Sequence, residues 1–147
     1  MIYLVDTNVL LRLAQHTHPS HSTARTAMRK LRHDGHLLQI TSQNCIEFWN
    51  VVTRPIDRNG LGLTPENADR LLQLIERLFP RLPDTPIMYL EWRRLVVTFH
   101  VAGVQVHDAR LVAAMKTYGV TRILTFNAGD FARYVSEGTV AVDPAAV

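Results

Sequence analysis

Asp6 is the first residue of the chain that could take part in chemistry. The apolar residues Met1 to Val5 lead directly to it, and a helical pattern of apolar residues starts just after it. Apolar runs of this length, rich in β-branched and aromatic residues, predict a strand that is buried on both faces. Because ligands bind beyond the carboxyl ends of the strands in an open parallel sheet, we expect Asp6 to lie at a functional edge.

Glu47 is the second acid of interest, on a largely apolar helix predicted over residues 42–53 with Ser42 as its N-cap. No lysine or arginine lies three or four residues away from Glu47. A carboxylate on a mostly buried helix is costly unless it is paired or bound to a metal. Two interpretations stay open: a functional role, and a side chain that points to solvent beside Asn44 and Asn50.

Two further acids follow in the second half of the chain. Asp108 falls in the first turn of a helix predicted to start at His107, where the helix dipole favours a carboxylate. A simple N-terminal acid explains Asp108 nearly as well as a catalytic role does. Asp130 lies with Asn127 in the turn after a strand predicted over residues 122–126.

The elements that would position these acids alternate between strand and helix. Strands are predicted at residues 1–5, 37–41, 81–82, 122–126 and 139–142, and helices at about 7–15, 22–33, 42–53, 64–78, 86–100 and 107–118. This alternation predicts an α/β fold, a three-layer sandwich with a mainly parallel sheet of about five strands. With right-handed crossovers and the strand order 3-2-1-4-5, all four acids face one edge of the sheet.

Carboxylates gathered at one edge predict a metal site. Several carboxylates in a small volume repel one another and cannot all stay ionised without a cation. Hard oxygen ligands suit Mg²⁺ or Mn²⁺, which activate water and neutralise charge on a phosphate. The sequence contains no Gly-rich phosphate loop, Ser-His-Asp set or cysteine pair that competes for the chemistry. Metal-dependent hydrolysis of a phosphodiester is therefore the predicted reaction.

Length and composition limit the class of protein. With 147 residues, of which 47% are hydrophobic, the chain is expected to form a single globular domain over residues 1–147. No apolar run approaches the roughly 20 residues that a membrane helix needs. The absence of an evident signal peptide and the single cysteine, Cys45, predict a cytoplasmic location.

The basic residues are almost all arginines. The formal net charge is +3, and Lys30 and Lys116 are the only lysines among 16 basic residues. Arginine is suited to bidentate contact with phosphate, so this composition is compatible with a polyanionic partner such as RNA. A genome rich in G and C would produce the same bias.

Four short segments together resemble the PIN-domain ribonucleases, in particular the VapC-type toxins of toxin–antitoxin modules. The segments are Asp6-Thr7-Asn8 after the first strand, Glu47 about a third of the way along, His107-Asp108-Ala109 at a helix start, and Thr125-Phe126-Asn127-Ala128-Gly129-Asp130-Phe131. Each segment is short, and the order and spacing of all four carry the resemblance. It covers essentially the whole chain.

The resemblance implies a set of roles for these residues. Asp6, Glu47 and Asp108 would bind Mg²⁺ or Mn²⁺, and Asp130 would be a fourth acid that acts directly or through water. Four polar residues would orient ligands or waters: Thr7, Asn8, Thr125 and Asn127. The family cleaves RNA endonucleolytically, commonly forms homodimers and is silenced by a cognate antitoxin. One departure is Phe126, where the family often has arginine, and either Asn127 or Asp130 could lie nearer the metal.

The same residues do not fit two other classes of α/β protein. A haloacid-dehalogenase-like phosphatase needs a second aspartate two residues after the first, where this chain has Asn8. A response-regulator receiver needs an acidic pair after the first strand and a lysine after the last one, and the chain has neither. The remaining alternative is a catalytically silent PIN-like module that binds RNA or a protein.

Overall fold

Five parallel strands form the central sheet in the computed structural model, which describes all of residues 1–147. The strands are β1 (Ile2–Val5), β2 (Leu37–Thr41), β3 (Arg81–Leu82), β4 (Arg122–Leu124) and β5 (Val140–Val142). Their order is β3-β2-β1-β4-β5, and every neighbouring pair is parallel. The predicted fold class and strand order are therefore confirmed.

Six α-helices connect the strands and cover both faces of the sheet. They are α1 (Thr7–Ala14), α2 (His21–His33), α3 (Ser42–Thr53), α4 (Pro65–Leu78), α5 (Pro86–Thr98) and α6 (Val106–Tyr118). A 3₁₀ segment of 10 residues, Ala128–Glu137, joins β4 to β5. No helix has the length and apolar character needed to cross a membrane.

The alternation of side chains along β1 divides the core into two layers. Tyr3 and Val5 pack with residues of α1 to α4 on one face of the sheet. Leu4, which points the other way, packs with residues of α5, α6 and the 3₁₀ segment. All three side chains are at most 5% exposed. A strand buried on both faces is what the apolar run before Asp6 predicted.

Two local predictions were wrong, and one segment was missed. Ser42 does not cap α3, because Thr41 is the N-cap and forms a capping box with Asn44. The strand predicted over residues 122–126 ends at Leu124. The backbone N–H of Phe126 donates to the side chain of Asn8 at 3.1 Å instead of to a neighbouring strand. The 3₁₀ segment after Asn127 was not predicted at all.

Candidate active site

Asp6 lies at the carboxyl end of β1, where it is the N-cap of α1. Its side chain is only 7% exposed and is held from three directions. One carboxylate oxygen accepts from the backbone N–H of Thr7 at 2.7 Å. The other accepts from the hydroxyl of Thr125 at 2.8 Å and from Nδ2 of Asn8 at 3.3 Å. These bonds fix the orientation of the carboxylate before any ligand is present.

Asn8 and Thr125 connect the start of α1 to the end of β4. Asn8 Nδ2 donates to Thr125 Oγ1 at 3.2 Å, and the same hydroxyl oxygen accepts from the backbone N–H of Asn127 at 3.0 Å. Thr7 Oγ1 accepts from Nδ2 of the fully buried Asn44 at 3.1 Å, which ties α1 to α3 as well. All four polar residues that the resemblance places around the acids thus lie in one hydrogen-bonded network.

Glu47 is half-buried and does not point freely into solvent. Gln43, one helical turn earlier, donates from Nε2 to Glu47 Oε1 at 2.6 Å. The same nitrogen donates to the backbone carbonyl of His107 at 2.7 Å. One amide group therefore links Glu47 on α3 to the start of α6, the helix that carries Asp108.

Gln43 was not predicted from the sequence. Its i,i+4 spacing to Glu47 was the available signal, because residues at this spacing are neighbours on a helix. Gln43 is only 5% exposed, and its Oε1 atom is buried without a hydrogen-bond partner. Since both bonds of Nε2 go to acceptors, the amide orientation is determined and Oε1 is the unpaired atom.

Asp108 is half-buried in the first turn of α6. The pKa of its carboxyl is raised to about 7, mainly by burial and in addition by the negative charges of Asp6, Asp130 and Glu47, while Arg133 opposes the increase. A dipole that favours the ionised form is therefore outweighed by desolvation and by the other acids. At neutral pH, this carboxyl without a cation holds a proton for a large part of the time.

The pKa of Asp6 is also raised, to about 6. Burial is the main cause, and the charges of Glu47 and Asp130 add to it. The hydrogen bonds from Thr125 and Thr7 act against this increase, because they lower the pKa of Asp6. Each of the four acids is thus close enough to perturb at least one of the others.

Three of the four acids share one open groove of about 530 Å³. Asp6, Glu47 and Asp108 line it, and so does Asn127. Asp130 does not line the groove, and its side chain is exposed. Asn127 is therefore nearer to the centre of the site, and Asp130 acts on it through its charge.

The oxygen atoms of the groove are of the kind that a hard divalent cation takes as ligands. Asp6, Glu47 and Asp108 would supply carboxylate oxygens, and Gln43, whose buried Oε1 has no hydrogen-bond partner, also lines the groove. As placed, no three acidic, histidine or cysteine side chains are close enough together to hold one ion. Like-charged carboxylates repel in the absence of a cation, and the half-buried Glu47 and Asp108 would have to turn toward it.

Comparisons with known proteins agree with this fold. A search of curated protein sequences found no match. Among solved structures, VapBC-1 from nontypeable Haemophilus influenzae superposes with a TM-score of 0.71 at 15% identity, over 98% of each chain. VapC20 from Mycobacterium tuberculosis, a sarcin–ricin loop cleaving toxin, superposes with a TM-score of 0.66 at 18% identity, over 97% of this chain and 98% of that one. A toxin–antitoxin complex from Klebsiella pneumoniae superposes with a TM-score of 0.66 at 16% identity, over 99% of each chain.

Identities this low indicate a shared fold only. The sequence itself carries the family assignment, because residues 3–136 match the PIN domain. This range includes all four acids and the polar network around Asp6. The chain therefore belongs to the PIN domain family.

Proposed function

We propose that this protein is a metal-dependent endoribonuclease, the toxin component of a toxin–antitoxin pair. The observation that carries the proposal is the groove lined by one acid from the end of β1, one from α3 and one from α6. Two of these acids, Asp6 and Asp108, have pKa values raised by burial and by the neighbouring charges. Such perturbed acids in a cleft are typical of functional sites.

Asp6, Glu47 and Asp108 would hold the ion, Mg²⁺ or Mn²⁺, and Asp130 would add negative charge from the rim. When bound, the ion supplies Lewis acidity toward water and phosphate. Thr125 and Asn8 hold the Asp6 carboxylate in a fixed orientation, and Gln43 does the same for Glu47. Asp108 gives up its proton when a cation arrives, so we expect binding of the ion to release protons.

The similar structures support the choice of substrate and partner. One of them is a sarcin–ricin loop cleaving toxin and another is a toxin–antitoxin complex. We accordingly propose RNA as the substrate and an antitoxin protein as the partner of this chain. A homodimer and a cytoplasmic location remain predictions that come from the family resemblance and the sequence.

A catalytically silent module is the second candidate. The separation of the acids in the absence of a cation favours it, because no three of them are placed to hold an ion. Such a module would bind RNA or protein through the same surface without cleaving it. Unlike an enzyme, such a module would not cleave RNA when Mn²⁺ is added, so a cleavage assay separates the two candidates.

The deciding experiment is cleavage of a mixed RNA pool by purified protein. We expect wild type to cleave with Mn²⁺ and to be inactive with EDTA. The Asp6→Asn variant should lose about 10²-fold activity or more, because it keeps the side-chain volume but loses a charge at the ion. Asp57→Asn, at an exposed position on a short 3₁₀ turn, is the matched control and should cleave like wild type. Cleavage by Asp6→Asn at the wild-type rate would refute the proposal.

A further inference from the structure

A second cavity lies beside the acidic groove. It has a volume of about 420 Å³ and lies between the starts of α5 and α6. His107 and Arg110 line both this cavity and the groove, so the two are adjacent. The volume is within the range of about 300–1,000 Å³ that is usual for small-ligand sites. The acids of the groove have no part in lining it.

Two aromatic side chains form one wall of this cavity. The ring of Tyr89 lies 5.9 Å from that of Trp92, with the two planes tilted by 32°. Trp92 is fixed, because its Nε1 donates to the backbone carbonyl of Val106 at 2.9 Å. Tyr89 is 58% exposed and the buried Met88 lies beside it in the lining. A rigid indole beside an accessible phenol ring is a surface on which a flat ring can stack.

Polar groups at the same cavity lack strong partners. The Oγ1 atom of Thr85 is buried without a hydrogen bond. Arg110 lies 3.7 Å from Asp84, and both side chains are more than 40% exposed. An exposed pair at this distance contributes little to stability, so the guanidinium can exchange Asp84 for another anion. Arg110 is therefore available to a phosphate at the junction of the cavity and the groove.

We propose that this cavity binds a nucleobase of the RNA strand whose phosphate lies in the acidic groove. The proposal rests on the function proposed above and adds a binding site for the base to it. A nucleobase is flat and aromatic, so it can stack on the wall formed by Tyr89 and Trp92. Its phosphate is anionic, so it can pair with the guanidinium of Arg110. An aliphatic protein side chain would use the apolar wall but would offer the guanidinium of Arg110 no anion to replace Asp84.

The test compares RNA with and without bases. Binding of short, fluorescently labelled single-stranded RNA is measured by anisotropy in EDTA, where no metal-dependent cleavage occurs. Each protein is titrated with a random-sequence RNA and with an abasic RNA of the same length. The acids of the groove repel both backbones equally, so the ratio of the two affinities reports on the bases alone.

Tyr89→Ala is the diagnostic variant, and its exposure means that the fold does not depend on it. We expect it to weaken binding of the base-containing RNA about tenfold and to leave binding of the abasic RNA unchanged. Tyr89→Phe keeps the ring and should bind like wild type. Leu90→Ala is the matched control, because Leu90 is 63% exposed on the same helix but does not line the cavity.

Three results would overturn the inference. Wild type could bind both RNAs equally, Tyr89→Ala could bind both RNAs like wild type, or Tyr89→Ala could disrupt self-association of the protein with no effect on RNA. The last result would assign the cavity to a second copy of the chain. Cleavage with Mn²⁺ is measured in parallel. Wild-type cleavage that is independent of Tyr89 would refute only the base site, and base-dependent binding without any cleavage would refute only the nuclease.

Discussion

At the scale of single residues, the groove is organised by amide side chains as much as by acids. Asn8 bonds to Asp6 and to the end of β4, and Gln43 bonds to Glu47 and to the start of α6. Each amide joins one acid to a second element. Because both groups are neutral, they orient the carboxylates without cancelling the negative charge that attracts a cation.

Gln43→Leu is expected to weaken the site without unfolding the protein. Glu47 loses its only donor, and the carbonyl of His107 loses a hydrogen bond. Loss of such an orienting partner typically lowers metal affinity by about 10- to 100-fold. Titration calorimetry with Mn²⁺ measures the affinity directly, and RNA cleavage should fall in parallel.

Gln73→Leu is the matched control for this prediction. Gln73 donates to Asp69 at 2.9 Å with the same i,i+4 spacing, but it lies exposed on α4. Its replacement should change neither metal affinity nor cleavage. Equal effects of the two substitutions would show that Gln43 has no special role.

Asp108→Asn should stabilise the metal-free protein, and more so at higher pH. The folded carboxyl has a pKa of about 7, compared with 3.8 as its ordinary value. Between these values the folded state holds the proton and the unfolded state has released it, so the stability of wild type falls as the pH rises. The advantage of the variant should be absent near pH 4 and amount to a few degrees in Tm above about pH 7.

This prediction is tested by thermal unfolding in EDTA over that pH range. The Asp57→Asn variant serves as the control, since Asp57 is exposed and outside the groove. A Tm difference between Asp108→Asn and wild type that is the same at every pH would contradict the assignment of the raised pKa.

At the scale of elements, the connection between α3 and α4 is constrained by close backbone contacts with the end of α3. Gly60 donates its backbone N–H to the carbonyl of Pro55 at 3.0 Å, and Gly62 donates to that of Arg54 at 2.8 Å. A Cβ atom at Gly60 would lie 1.8 Å from the carbonyl oxygen of Arg54. The loop therefore folds back onto the end of α3, the helix that carries Glu47, in a way that only glycine allows.

Gly60→Ala should accordingly be strongly destabilising. The clash is with backbone atoms, so the loop has to open, and we expect a loss of about 2 kcal/mol or more in unfolding free energy. Urea denaturation at neutral pH measures this loss. Gly129→Ala is the control, because a Cβ there meets no heavy atom within 4 Å. Equal stability of the two variants would contradict this view of the loop.

The helices and strands were predictable where apolar residues recur with a clear helical or strand period. Asp6, Glu47 and Asp108 were placed on one edge because the strand order and the helix starts follow from local patterns. The position of Asp130 was not predicted, because it depends on the 3₁₀ segment that starts at Ala128, and that segment itself was not predicted. The bond from Gln43 to His107 joins residues 64 positions apart and has no local signal at all.

The N-cap of α3 shows why adjacent polar residues mislead such predictions. Thr41 and Ser42 are both good capping residues. The choice between them is made by Asn44, whose Oδ1 accepts from the backbone N–H of Thr41 at 2.8 Å and whose Nδ2 donates to Thr7 at 3.1 Å. A tertiary contact with α1 therefore fixes where α3 begins.

At the scale of the whole molecule, the two hydrophobic cores lie on opposite faces of one sheet. The acids lie at the edge of that sheet where β1 ends. The folded state contains a cluster of like charges that the unfolded chain disperses. A divalent cation bound by the native state alone would relieve this repulsion and raise the stability of the whole domain.

Mn²⁺ should therefore raise the Tm of wild type. At a concentration about 100 times its Kd, a ligand that binds only the native state adds about 2.7 kcal/mol. The increase should be larger near pH 8 than near pH 6, because the ion competes with protons for Asp6 and Asp108. Differential scanning calorimetry with and without Mn²⁺ tests this, and Asp6→Asn should reduce the shift. A Tm that does not respond to the ion would favour the silent module.

During translation, the central strand β1 is synthesised before the other four strands of the sheet. β1 can pair with β2 early, but the hydroxyl that holds Asp6 belongs to Thr125, 119 residues later in the chain. A nascent chain therefore carries Asp6 and Glu47 long before it can assemble them with Asp108. For the nuclease that we propose, the complete set of acids and the Thr125 hydroxyl that orients Asp6 can therefore come together only after residue 125 has been synthesised.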